Sequence, residues 1–171
     1  MKRIAVLLAL LFPLCGCRHV VDDPYVKVKD SGLNWVSIRH YNQRTTPFQR
    51  VSVRIDGSGV VTVREGTSLL VTNPYAANVN DPNWNDIRER RITIAREDVI
   101  PIFQMLVDQG LFLRRKKSDP ANPNESVFVS ANIEGKTCGS DENVFGSDPD
   151  LAESLKNIVL MFHQPQPRNK R

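Results

Sequence analysis

The sequence predicts an α+β fold: a mostly antiparallel sheet of about five to six strands with two helices packed on one face. Three observations carry that prediction. Val51, Val53 and Ile55 alternate with Ser52 and Arg54, and after Asp56-Gly57-Ser58-Gly59 the run Val60-Val61-Thr62-Val63 follows, the pattern of a β-hairpin with one wet face. A second turn, Glu134-Gly135, separates the strand-like residues 127–133 from 136–138 in the same way. Two other segments, 96–110 and 147–162, place their apolar residues three and four apart, the spacing of a helical stripe.

In chain order, residues 33–41 are the first predicted strand, because aromatic and β-branched residues abound there. Their apolar side chains fall on both faces, as in a strand covered on each side or one that bends partway. The hairpin over 50–64 comes next. Its glycines lead into a strand rather than a helix N-terminus, which argues against a phosphate-cradling loop. Residues 65–85 are rich in Asn, Asp, Pro and Gly and are predicted as a long loop, with Leu69-Leu70-Val71 as a short strand inside it. Residues 88–95 resume a strand, and the charged Arg88-Glu89-Arg90-Arg91 suits a sheet edge. Arg96-Glu97-Asp98 opens a helix with the stripe Val99, Ile102, Phe103, Leu106 and Val107 and a stop at Gly110. Pro101 requires that the regular helix begin near Ile100 or that it kink. After the second hairpin, Ser147-Asp148-Pro149 caps a helix whose stripe is Leu151, Leu155, Ile158, Val159 and Phe162.

Ahead of this body, Lys2 and Arg3 precede an apolar stretch from Ile4 to Leu14 that closes in Leu14-Cys15-Gly16-Cys17. A basic start, a short apolar run and small residues before a cysteine resemble a bacterial lipoprotein signal, which implies cleavage after Gly16 and lipidation of Cys17. Leu14, Gly16 and Cys17 match the lipobox, and Cys15 is an unusual but small filler. The stretch falls short of the roughly 20 apolar residues that span a bilayer. An ordinary cleaved signal peptide with cysteines nearby is the competing reading. The expected organisation is a lipoprotein signal peptide over 1–16, a flexible tether over 17–32, a single α+β domain over 33–163 and a basic disordered tail over 164–171. Arg18 after the lipidated cysteine, rather than aspartate, resembles lipoproteins sent to the outer membrane. The implied location is the bacterial cell envelope, lipid-anchored to the outer membrane and facing the periplasm.

The 171 residues carry 23 basic and 19 acidic side chains, a formal net charge of +4. Loss of Lys2 and Arg3 with the signal lowers that excess by two, and Arg168, Lys170 and Arg171 sit in the tail. The body is therefore close to neutral, and a nucleic-acid partner has no global electrostatic support. With Cys15 removed and Cys17 lipidated, Cys138 has no partner within the chain and no disulfide is expected. Cys138 reads as a small apolar filler on a strand in preference to a reactive thiol. His19, His40 and His163 do not fall at metal-ligand spacing, and Asp81 and Asp86 with the nearby asparagines fit no calcium-loop pattern. No nucleophile-elbow, Walker or zinc-protease motif occurs, so no cofactor, no metal and no catalytic residue is predicted. Glu97 and Asp98 are acids of a first helical turn and His163 sits at a helix C-terminus, both ordinary responses to the helix dipole.

Long loops in compact domains are often functional, so Asn73, Tyr75, Asn78 and Trp84, with Asn80 and Asp81 beside them, form the candidate binding surface. The alternative is that Tyr75 and Trp84 only pin the loop to the core. Arg114-Arg115-Lys116-Lys117 is the candidate membrane-surface contact, each cation contributing about 1 kcal/mol beside an anionic surface. A solvated loop is the competing reading. The expected role is a lipid-anchored, non-catalytic binding or structural module that holds the membrane through its N-terminal lipid and takes an envelope protein or cell-wall component as partner. The alternative is a small envelope hydrolase or inhibitor-like module with a site assembled from distant residues near His40 or Cys138.

The order strands, helix, strands, helix resembles an uncharacterised family of bacterial exported domains, a domain of unknown function. The resemblance spans roughly residues 33–162. It rests on the Val51-Ser52-Val53-Arg54-Ile55-Asp56-Gly57-Ser58-Gly59 hairpin, the passage from Ile92 to Glu97, Leu106 through Gly110-Leu111-Phe112, and the Ile133-Glu134-Gly135-Lys136 turn. Such families commonly show a cysteine pair and a Cys-Pro-x-aromatic element before the hairpin. This chain has Thr45-Thr46-Pro47-Phe48 there, so no thiol-dependent role carries over, and the resemblance implies a fold without an activity.

Overall fold

A computed structural model of the chain describes residues 26–68, 84–113, 124–139 and 143–163. Six strands form one antiparallel sheet: β1 (Trp35–Asn42), β2 (Phe48–Asp56), β3 (Val60–Ser68), β4 (Trp84–Thr93), β5 (Glu125–Ile133) and β6 (Lys136–Gly139). Their order across the sheet is β4-β3-β2-β1-β5-β6. Two helices, α1 (Arg96–Asp108) and α2 (Pro149–Phe162), complete the α+β fold, with a 3-10 turn at Val144–Gly146.

Period-2 alternation sorts the strands into two faces. Val36, Ile38, Val53, Ile55, Val61, Val63, Val129, Ala131 and Ile133 point to one side, where they join Phe103 and Leu106 of α1 and Leu151, Leu155 and Val159 of α2 in a single core cluster. Both helices thus cover the same, inner face. The two-sided apolar pattern of β1 follows from its central place: Val36 and Ile38 enter the inner core, while Trp35, Arg39 and Tyr41 stand on the outer face.

The helix ends are built as their sequences dictate. Asp148 accepts a hydrogen bond from Leu151 N at 3.0 Å, Pro149 takes the first helical position, and Gly110 follows α1 with φ +80°. The regular part of α1 begins at Arg96, not near Ile100. Pro101 lies on its exposed side, and Glu97, whose carbonyl loses the donor four residues on, is exposed as well. At the second hairpin Glu134 and Gly135 both have positive φ, the backbone of a tight two-residue turn.

Three boundaries differ from the sequence reading. β3 runs on to Ser68 and β4 starts at Trp84, so both ends of the expected 65–85 loop belong to the sheet, joined across a bulge between Glu65 and Thr67. β4 is the edge strand, as its charges required, but ends at Thr93. The expected tether is corrected over residues 26–32: Val28 is buried, Val28 N donates to Gln104 Oε1 at 2.9 Å, and Gln104 Nε2 donates to Val26 O at 3.1 Å. Asn34 fastens the same segment, its Nδ2 donating to Lys29 O and to Glu134 Oε1 while its Oδ1 accepts from Glu134 N. The bond from Asn34 Nδ2, with one from Lys29 N, holds the Glu134 carboxyl below its usual range.

Candidate functional site

The outer sheet face is not a plain wet face. Register places its side chains in cross-strand rows: Ser130, Ser37, Arg54 and Thr62 in one; Phe128, Arg39, Ser52, Arg64 and Glu89 in the next; Ser126, Tyr41, Arg50 and Gly66 in a third. Arginines and aromatic rings interleave across these rows. The Arg50 guanidinium lies 4.0 Å from the Trp84 ring centroid and 5.3 Å from that of Tyr41, Arg54 lies 4.5 Å over Trp35, and Arg39 lies 5.8 Å over Phe128. Tyr41 and Phe128 meet edge to face at 5.8 Å. Arg50 is 0% exposed, and stacking on ring faces is how a desolvated guanidinium keeps favourable contacts. Gly66 makes room for this: a Cβ there would stand 2.7 Å from Trp84 Nε1 and 2.5 Å from Asn85 O.

Between these groups lies a cleft of about 260 Å³, walled by Trp35, Arg39, Arg50, Arg54, Arg64 and Trp84, with Ser37, Ser52, Thr62 and Ser130 on its floor. Arg54 Nε pairs with Asp56 Oδ1 at 3.0 Å and Arg64 Nε with Glu89 Oε2 at 2.6 Å. The Arg64 hydrogen bond holds the Glu89 carboxyl below its usual range. Two buried polar atoms of this face, Trp84 Nε1 and Asn132 Oδ1, find no hydrogen-bond partner among the described residues.

The opposite face becomes polar toward one end of the sheet. Buried Glu125, at the start of β5, has Lys156 Nζ of α2 at 2.6 Å, Arg44 Nη2 at 3.5 Å and His40 Nε2 at 3.6 Å. Burial pushes the Glu125 carboxyl up, but Lys156 and His40 together bring it below the usual range. Burial lowers the His40 imidazole pKa and outweighs the attraction of Glu125. Beside this cluster a wider cavity of about 670 Å³ is lined by Gln49, Glu65, Thr67, Asp86, Arg88 and His163, among others. His163, the C-cap of α2, turns its Nε2 to Glu65 Oε2 at 2.7 Å, so its first partner is a carboxylate on β3. Among the described residues, neither serine nor cysteine lines that cavity.

Of the residues singled out from sequence, Trp84 alone of the loop quartet lies within the described part. It is the first residue of β4 and lines the outer cleft. Cys17, Asn73, Tyr75, Asn78, Arg114, Arg115, Lys116 and Lys117 lie outside the described residues, as do the signal segment and the tail. His40 and Cys138 are not brought together. His40 pairs with Val127 through β1 and Cys138 with Ala131 through β6, an offset of four residues along β5, or about 13 Å, with β1 and β6 on opposite sides of that strand. Among the described residues no group of three or more His, Cys, Asp or Glu could hold a metal ion, and no helix is long and apolar enough to cross a membrane.

Sequence reasoning missed Arg39, Arg50 and Arg64. Their period-2 alternation with aliphatic residues was legible, but it reads as a solvated face. The available signal was the pairing of that arginine pattern with Trp35 and Tyr41 on a neighbouring strand. Neither the models of known protein families nor the curated proteins match this chain.

Proposed function

We propose that the protein is a lipid-anchored component of the bacterial cell envelope, held through Cys17 and facing the periplasm from the outer membrane, and that it works by binding rather than by turnover. The observation that carries the binding half is the division of labour across the sheet. The inner face is consumed by α1 and α2, whereas the outer face holds a cleft whose arginines and tryptophans are held in place on four strands, β1 to β4. Rigid, rotamer-locked polar and aromatic groups on strands are what a recognition surface needs. The anchoring half rests on Leu14-Cys15-Gly16-Cys17 behind its apolar run. On this reading the chain is an envelope module of the kind its resemblance to exported bacterial domains implies.

Two measurements test it. Intact-mass analysis of the protein from host membranes is expected to show a diacyl or triacyl increment on a chain that starts at Cys17, lost with membrane association in Cys17→Ser. A photo-crosslinking residue at Thr62, on the outer face, is expected to trap an envelope partner, and the same residue at exposed Met161 of α2 is not. A soluble, unmodified chain overturns the anchor; crosslinks from Met161 alone overturn the binding face.

A further inference from the structure

The outer cleft is electrostatically one-sided. Among the described residues, four guanidiniums, two indoles and four hydroxyl-bearing side chains line it, and no carboxylate does. Asp56 and Glu89, the partners of Arg54 and Arg64, stand at its margins: Asp56 opposite Trp35, Glu89 on the edge strand. A concave site walled by cations and low-dielectric rings focuses positive potential and concentrates anions. Arg39 and Arg50 are buried and supply field rather than reach. Arg54 and Arg64 are reachable, their side chains 44% and 28% exposed. They are diagonal neighbours on β2 and β3, since Arg54 faces Thr62 and Ser52 faces Arg64. Such diagonal pairs stand about 7–8 Å apart at the backbone, within range for two long side chains to converge on one group.

The size and composition of the cleft narrow the anion. A cleft of about 260 Å³ lies just below the roughly 300–1,000 Å³ of pockets that take drug-sized molecules, so it suits a small ligand. A carboxylate offers two oxygens and is satisfied by a single guanidinium fork, whereas a phosphate monoester offers three and can take two forks at once. The hydroxyls of Ser130, Ser37 and Thr62 lie along one row, beside Arg54, where hydroxyls of a polyol would meet them. Resting on the reading of the outer face as the binding surface, we propose that this cleft binds the phosphate ester of a small polyol, with the phosphate held between Arg54 and Arg64 and the polyol along the Ser130–Ser37–Thr62 row.

The chain has two tryptophans, Trp35 and Trp84, and both line the cleft, so intrinsic fluorescence reports this site. Full-length Cys17→Ser protein is titrated with glycerol 3-phosphate, inorganic phosphate and glucuronate, and tested for flotation with vesicles of phosphatidylcholine with or without phosphatidic acid. Saturable fluorescence change with glycerol 3-phosphate is expected, tighter than with inorganic phosphate and weakening as salt rises. Arg54→Gln and Arg64→Gln, each checked for an unchanged thermal melt, are expected to weaken it about tenfold. Arg91→Gln removes a cation of the same sheet face that lies outside the cleft, 72% exposed, and is expected to leave affinity unchanged. Arg54-dependent flotation with phosphatidic acid, and not with phosphatidylcholine, assigns the ester to a lipid headgroup; binding of the soluble ester without flotation assigns it to a free phosphate ester. Glucuronate binding as tightly as the phosphate ester, or equal weakening by Arg91→Gln, overturns the proposal. If no phosphate compound binds while Thr62 still crosslinks, the ligand chemistry fails and the binding face stands; if Thr62 crosslinks are lost as well, both fail.

Discussion

Replacing Lys156 with Met tests the energetics of the polar end of the inner face, and the structure sets both the size of the effect and its pH dependence. Glu125 keeps only 8% of its side chain exposed and leans on Lys156 Nζ at 2.6 Å. Removing one partner of a fully buried pair costs about 3–5 kcal/mol. Here Lys156 is 22% exposed and Arg44 still approaches the other carboxylate oxygen at 3.5 Å, so about 2 kcal/mol is expected at pH 8. The lost stacking of the ammonium over Phe145, at 5.9 Å, adds about 0.5 kcal/mol.

The pH dependence distinguishes this account from simple loss of packing. In the folded protein the His40 pKa lies below its value of 6.5 in the unfolded chain, so the unfolded chain binds more protons as pH falls through that region. Wild-type stability therefore declines as pH drops below about 6.5. Lys156 contributes to the His40 shift by repulsion. Without it, His40 protonates more readily and Glu125, stripped of the partner that does most to hold its carboxyl down, takes up a proton at higher pH than in the wild type, so both changes relieve the unpaired buried carboxylate as pH falls. His163, the other group that opposes His40 protonation, is unchanged by the substitution. Lys156→Met is thus expected to destabilise by about 2.5 kcal/mol at pH 8.0 and by about 1 kcal/mol at pH 5.5. Urea unfolding followed by tryptophan fluorescence at the two pH values, with a common m-value, measures both. Equal loss at both pH values, or a loss below about 0.5 kcal/mol at pH 8.0, would refute the ion-pair reasoning.

Two further outcomes follow from particular contacts. Gly66→Ala drives a Cβ against Asn85 O and the Trp84 indole and is expected to cost about 1–3 kcal/mol, with a shift in tryptophan emission as the Arg50–Trp84 stack is displaced; an unchanged spectrum at wild-type stability would show that the bulge relaxes freely. Asp148→Ala removes the acceptor for Leu151 N and is expected to lower unfolding free energy by about 1 kcal/mol in urea without a change in m-value, and Asp148→Asn is expected to recover most of it.

Much of the fold was legible because it is written in local chemistry. The hairpin at Asp56-Gly57-Ser58-Gly59, the Glu134-Gly135 turn, the Asp148-Pro149 start of α2 and the Gly110 stop of α1 each depend on one or two residues whose backbone preferences need no partner from elsewhere. The ends of β3 and β4 were not legible. Glu65 to Ser68 and Trp84 to Ile87 look like loop by composition, and they are strand because their backbones hydrogen-bond across a bulge to each other and, at β3, to β2. The segment 26–32 was misread for a related reason: its polar character suits a tether, but Gln104 and Glu134, far along the chain, supply the partners that dock it.

The sequence by itself determined the class of the fold, the two amphipathic helices, the turns and the edge character of β4, and it alone carries the lipobox-like Leu14-Cys15-Gly16-Cys17. Only the tertiary structure decided what surrounds the arginines. Period-2 alternation says that Arg39, Arg50, Arg54 and Arg64 leave the aliphatic core, but whether such a face meets water or closes on itself depends on which strands become neighbours and in what register. Placing β1 beside β2, and β3 beside β4, brought Tyr41 and Trp84 to either side of Arg50, buried a guanidinium that the sequence would have left in water, and shaped the cleft that separates this face from an ordinary solvated sheet.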